Sequence, residues 1–143
     1  MRPIILLLVL YLPLAASAGH AIEGRYWTED RNGMIEMYRA GDQLSGRIVW
    51  RSSPLLDRNN PDPSLRGRSM VGVTFLTGFT KKGSKWEGGE VYSADNGRTY
   101  RGKLWLEDDG LTLKMRGFVG VSLFGRTASF SRVAANEPMP EGK

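Results

Sequence analysis

Leu111-Thr112-Leu113-Lys114-Met115-Arg116-Gly117 is the stretch on which the fold turns. Along an extended chain, Leu111, Leu113 and Met115 fall on one side and Thr112, Lys114 and Arg116 on the other, because successive strand side chains point to opposite faces. A strand with one apolar face and one wet face belongs to an antiparallel sheet laid over a core. Arg98–Leu106 repeats the pattern, with Tyr100, Leu104 and Leu106 opposing Arg101 and Lys103. Reading outward from these two runs gives eight strands, at about 24–28, 34–39, 43–51, 70–79, 85–93, 98–107, 111–119 and 126–133. Arg31-Asn32-Gly33, Asp95-Asn96-Gly97 and Asp108-Asp109-Gly110 separate them, each ending in residues that tolerate the positive φ of tight hairpins. Beyond the N-terminal segment no long window keeps a helical period, and only Ser64–Arg68 leaves room for a short helix.

Eight sequential strands with short connections predict an all-β fold, a single antiparallel up-and-down eight-stranded barrel, which leaves no open edges. A sandwich is the competing arrangement. Gly46, Gly72, Gly88, Gly89 and Gly102 inside strands favour the barrel, where sharp corners tolerate glycine, and the Gly88-Gly89 pair predicts a bulge or a close backbone approach. A barrel of this size is either just filled by its own side chains or holds one small ligand. One connection is long, from Ser52 to Ser69, and its alternating prolines and Asx residues predict a rigid, turn-rich loop.

The chain has 143 residues, one domain's worth, with 20 Lys and Arg against 15 Asp and Glu, a net charge of +5, no cysteine and one histidine, His20. These counts exclude a disulfide scaffold, a thiol nucleophile and Cys-ligated metal, and they speak against a Ser-His-Asp triad. Arg2, the apolar run Ile4–Leu14 and Ala16-Ser17-Ala18 form the three parts of an export signal, with cleavage expected after Ala18. The apolar run is too short to span a bilayer, and no later stretch is long and apolar enough. The expected organisation is therefore a signal at 1–18, a barrel domain at 19–133 and a disordered tail at 134–143, in a periplasmic or secreted protein.

Taken as a set, several blocks resemble a family of small exported bacterial proteins known only as a domain of unknown function, lipocalin-like in fold. They are Gly24 with Trp27-Thr28-Glu29-Asp30, Leu44-Ser45-Gly46-Arg47-Ile48-Val49-Trp50 and Asn60-Pro61-Asp62-Pro63-Ser64-Leu65-Arg66. Trp86-Glu87-Gly88-Gly89-Glu90-Val91-Tyr92, Asn96-Gly97-Arg98-Thr99-Tyr100, Met115-Arg116-Gly117-Phe118-Val119-Gly120 and Leu123-Phe124-Gly125-Arg126-Thr127 complete the set. Gly24 and Trp27 are also similar to the glycine–tryptophan signature of the first lipocalin strand, with one residue more between them, so that either Tyr26 or Trp27 takes the barrel floor. The resemblance implies fold and export and supplies no activity.

Candidate site residues follow from chemistry. Asp57, Asn60 and Asp62 read as a lid or rim, with Arg66 and Arg68 offering planar forks to a carboxylate or phosphate. The alternative is that these groups bond the loop's own backbone and one another. A calcium reading of Asp57, Asn59 and Asp62 fails, because Pro61 takes a ligand position and the glycine and distal Glu are absent. Trp27, Tyr38, Trp50, Trp86, Tyr92 and Tyr100 are candidates to line a cavity, against the plainer reading of ordinary core. Glu36 and Glu90 share strand faces with aromatics and would be buried acids if those faces point inward, or solvated if they do not. Gly78–Lys85 is no phosphate loop, since Ser84 separates the second glycine from its lysine, and Gly120-Val121-Ser122-Leu123-Phe124-Gly125 is no nucleophile elbow. Leu123 and Phe124 form either an exposed apolar tip or a tucked-in turn. The cations are scattered, which fits mild attraction to anionic surfaces or ligands rather than nucleic acid.

The residues name no cofactor and no metal site. The function they predict is non-catalytic binding of a small, partly apolar or anionic molecule in the barrel. The competing expectations are an envelope interaction module with a filled barrel and a partner-binding loop at 52–69, and a hydrolase using Glu36 or Glu90.

Overall fold

The structure is a computed structural model that describes residues 21–120 and 125–141. The export signal expected at 1–18 and the Leu123-Phe124 tip lie outside the described residues. Eight strands form, β1 (Gly24–Thr28), β2 (Gly33–Ala40), β3 (Gln43–Arg51), β4 (Thr74–Lys82), β5 (Lys85–Ser93), β6 (Arg98–Leu106), β7 (Thr112–Phe118) and β8 (Arg126–Arg132). Each pairs antiparallel with the next, and β8 returns to β1 through Tyr26↔Arg132 and Thr28↔Phe130, closing an up-and-down barrel. The short helix is a single 3-10 turn, Pro63–Leu65, capped by Asp62 accepting from the Ser64 amide. The sandwich is thereby excluded.

The expected fourth strand at 70–79 is displaced. Met70 is buried and the Val73 amide turns back to its carbonyl, while Gly72 sits at φ +91 and bonds the Ile48 carbonyl. The chain therefore enters the sheet only at Thr74 and runs through Gly78 to Lys82.

Inward-facing side chains make one continuous core of Tyr26, Ile35, Met37, Leu44, Leu76, Phe79, Trp86, Val91, Leu104, Leu113 and Phe130, with Ile22 from the N-terminal segment. Strand glycines make room for it. A Cβ at Gly89 would sit 2.4 Å from the Phe79 ring, one at Gly102 2.7 Å from Val91 and 3.0 Å from Phe79, and one at Gly46 2.8 Å from Leu76. The Phe79 ring thus lies where neighbouring strands present bare backbone. The Gly88-Gly89 bulge is present, with Gly88 at φ +75 and a register shift between Trp86 and Gly89.

A second apolar cluster lies on the outer face. Trp27, Met34 and Val133 are buried there with Val49 and Trp50 against them, and the two indoles meet edge to face at 5.6 Å. The segment after Val133, expected to be disordered, runs over this cluster. The Trp27 indole N–H donates to Glu137 at 3.0 Å, Arg31 pairs with the same carboxylate at 3.2 Å, and the Trp50 indole N–H reaches the Glu141 carbonyl at 3.4 Å.

Gly89→Ala should lower unfolding free energy by about 2 kcal/mol, the scale of an overpacked core. Gly67→Ala, with open space around its Cβ, should change it by less than about 0.5 kcal/mol. Urea denaturation of the two variants checks the pair. Equal effects would contradict the placement of Phe79.

Candidate functional site

The two ends of the barrel differ in kind. The β2–β3, β4–β5 and β6–β7 turns surround one end, and the chain corks it. Tyr26 occupies the floor position that the sequence left open between Tyr26 and Trp27. It is fully buried, and its hydroxyl donates to the Ile22 carbonyl at 2.7 Å. Burial pushes its phenol up to about 12. The Arg132 guanidinium stacks over the ring at 4.8 Å and donates to the carbonyls of Gly110, Glu23 and Ala21, tying three chain segments across the opening. A hollow of about 570 Å³ lies outside this cork. Trp86 and Ile22 seal it from the interior, and its rim charges Arg39 and Glu23 are already paired, with Arg39 also stacked on Trp86 at 4.6 Å.

Among the described residues the other end is open. Inward-facing residues become small there: Thr28, Gly33, Ser93, Gly117 and Ala128 line hollows of about 530 and 700 Å³ or the recess beneath them. The recess is about 130 Å³, walled by Ile35, Ile48, Phe75 and Phe130 with Met34 and Thr28 at its edge. Arg51 borders both the recess and the outer hollow. Its stem crosses Gly33, where a Cβ would come within 3.3 Å of Arg51 Cδ. Its Nη1 donates to Asn32 Oδ1 at 3.0 Å, and its buried Nε has no hydrogen-bond partner. Asp30, on the same turn, accepts from the Thr28 hydroxyl at 2.9 Å, which holds its carboxyl below the usual range. The second hollow, about 700 Å³, is bordered by Tyr100, Met115, Glu29, Asn96 and Arg126. An apolar recess with a few aimed polar groups is the make-up of a small-molecule site.

The long loop does not line this opening through its predicted residues. Asp57 is completely buried and accepts from the Tyr92 hydroxyl, from Asn60 Nδ2 at 2.7 Å and from the Arg68 guanidinium at 2.9 Å. Burial alone would raise its pKa, but the bonds from Tyr92, Asn60 and Arg68 and the Arg68 charge outweigh it and hold the carboxyl below its ordinary value. Burial, then the Asp57 bond, raises the Tyr92 phenol. Arg66 Nε donates to the Asn60 carbonyl at 2.8 Å, and Asp62 caps the 3-10 turn. Asn59 Nδ2 bonds the Ala94 and Asp95 carbonyls at 3.1 and 2.9 Å, pinning the loop to the β5–β6 turn. Arg66 and Arg68 are therefore loop staples in this structure.

The other predicted residues are dispersed. Tyr100 borders the open end, Trp86 seals the corked end, and Trp27 and Trp50 pack outside the barrel. Tyr38 faces outward, hydrogen-bonded to Thr74 at 2.7 Å with Arg47 over its ring. Glu36 is outward too, paired with Arg47 at 2.6 Å, and Glu90 is exposed opposite Arg101. The bulge explains Glu90 and Tyr92. The extra residue at Gly88 flips the alternation, so Trp86 faces in while Glu90 and Tyr92 face out. Among the described residues no group of three His, Asp or Glu gathers to hold a metal ion, and no helix is long and apolar enough to cross a membrane.

A closed eight-stranded up-and-down barrel, corked at one end and cupped at the other, is a lipocalin-like architecture. Residues 24–132 match the family described as "Uncharacterized protein conserved in bacteria (DUF2147)", and the chain belongs to that family. Its fold is similar to that of protein HP1028 from the human pathogen Helicobacter pylori, a structure described as belonging to the lipocalin family, with a TM-score of 0.72 and 23% identity over 80% of this chain and 84% of that one. No curated protein sequence matches this one.

Asp57→Asn should cost about 2 kcal/mol at neutral pH, because it leaves Arg68 and Tyr92 without their acceptor charge. A carboxyl whose folded pKa is depressed contributes stability above its unfolded pKa and loses it as pH falls. The gap between wild type and D57N should therefore shrink on acidification below about pH 4. Urea midpoints across that range check it, and a constant gap would contradict the ionised, bonded state of Asp57.

Proposed function

We propose that this protein is a binding module that holds one small, partly apolar molecule in the open half of its barrel, without catalysis, after export from the cytoplasm. The observation that carries the reading is the recess between Ile35, Ile48, Phe75 and Phe130, of about 130 Å³. A dry apolar cavity of about 150 Å³ accepts a benzene-sized guest. The hollow that adjoins it through Thr28, Arg51 and Phe130, about 530 Å³, has room for the rest of a molecule of that kind. Lipocalin-like barrels lend themselves to this use because the strands fix a rigid wall and only the inward side chains need vary.

Support for a non-catalytic role comes from the carboxylates. Glu36 and Glu90, which the sequence offered for acid–base chemistry, face away from the cavity, and Glu36 is neutralised by Arg47. Export is supported by the N-terminal pattern of Arg2, the apolar run and Ala16-Ser17-Ala18. Outside the cytoplasm a chain with no cysteine rests on its core alone, in keeping with the solid packing around Phe79.

The test uses the chain from Gly19 onward and the neutral fluorophore N-phenylnaphthylamine. The wild type should take up the probe saturably with one site per barrel. Ala128→Phe places a ring in the opening and should weaken uptake at least about tenfold, the effect of losing roughly 1.4 kcal/mol of contact, with its melting temperature little changed. Trp27→Phe, outside the barrel, should leave uptake intact. Absence of saturation, or equal uptake by the Ala128 variant, would contradict the proposal.

A further inference from the structure

Arg51 was not among the candidate residues read from the sequence, and among the described residues it is the one cation set against the apolar recess. Resting on the binding function proposed above, we infer that Arg51 makes this a carboxylate site: the ligand is a small monocarboxylic acid, its carboxylate on Arg51 and its ring or short alkyl group in the recess.

The geometry is specific. A guanidinium has three edges. Asn32 Oδ1 takes Nη1 of Arg51 at 3.0 Å, and Asn32 is itself held by its Nδ2 bond to Asp30. Gly33 supplies the bare backbone along which the arginine stem lies. What remains is the side formed by Nε–H and Nη2, and among the described residues neither nitrogen has a hydrogen-bond partner. That side is a planar two-donor fork, and a carboxylate presents two coplanar oxygens at matching spacing. A buried Nε–H without an acceptor is costly to the protein alone and is satisfied when such an oxygen arrives.

The apolar portion is fixed by the same side chain. Arg51 borders the recess of Ile35, Ile48, Phe75 and Phe130, so its guanidinium and a space that accepts one ring adjoin each other. Glu29 and Asp30 at the neighbouring rim set the charge limit. Asp30 stays ionised through its Thr28 bond, so a second negative charge on the ligand would meet repulsion there, which favours a monoanion.

The experiment is calorimetric titration of the mature protein with hydrocinnamate and, separately, hydrocinnamyl alcohol, which share a phenyl ring and differ in the head group. Wild type should bind the acid at least about tenfold more tightly than the alcohol, the scale of one charge-assisted bidentate pair. Arg51→Gln should abolish that preference, leaving the acid no tighter than the alcohol. Arg51→Lys keeps the charge without the fork and should recover only part of the preference. Equal binding of acid and alcohol by the wild type, or an undiminished preference in R51Q, would overturn the inference while leaving the binding function standing, provided the neutral probe still binds. Loss of neutral-probe uptake in the wild type would overturn both.

Discussion

The placement of the Phe79 ring governs the rest of the molecule. Eight strands enclose a space that side chains can just fill, so the result depends on which rings reach the axis. Phe79 reaches it because Gly89 and Gly102 present backbone where any other residue would present a Cβ, at 2.4 and 3.0 Å from the ring. Around it Met37, Leu44, Leu76 and Leu104 are essentially inaccessible to solvent, and apolar side chains occupy the lower half of the barrel. Above it the inward positions pass to Thr28, Gly33, Ser93, Gly117 and Ala128, and the same strands enclose a cup. One barrel therefore has a filled half that stabilises the fold and an open half that is free to bind.

The groups around that cup divide the remaining work. At the far end Arg132 ties the N-terminal segment and the β6–β7 turn over Tyr26, closing the cylinder where a ligand would otherwise pass through. On the flank, buried Asp57 gathers Tyr92, Asn60 and Arg68 and so holds the long loop against β5. The outer Trp27–Trp50 pair, covered by Glu137 and Glu141, gives β1 to β3 a second packed face. None of these groups enters the cup, which leaves Arg51 as the charged side chain at its apolar floor.

Much of this was legible in the sequence. Alternation in Thr112–Gly117 and the Asx-Gly turns located the strands, because period two and positive φ are properties of the chain itself, whereas Leu111, read onto the packed face, is exposed and precedes β7. The blocks around Trp50, Pro61 and Arg98 resemble a lipocalin-like family in sequence alone. The site was less legible, for physical reasons. Gly88 adds one residue to β5 and so reverses the faces of Glu90 and Tyr92, and a shift of one residue cannot be read from composition. Trp27 and Trp50 carry the same hydrophobicity whether they fill a barrel or coat it. Arg66 and Arg68 stood out because they lie in an unusual loop, yet both are consumed by that loop's own acceptors. Arg51 ends a strand in an unremarkable run. Only the Met34/Ile35 register shift and the bare Gly33 beside it turn its side chain to the recess, and the neighbouring Gly33 was the sole signal available.

The division of the barrel into a filled half and an open half is tested most directly by methyl-resolved NMR of the chain from Gly19 onward under xenon pressure, since xenon enters apolar voids without regard to charge. The account predicts saturable shifts at the methyl groups of Ile35 and Ile48, with those of Leu44, Leu76 and Leu104 unmoved. Shifts concentrated on the leucines around Phe79, or none at Ile35 and Ile48, would contradict it.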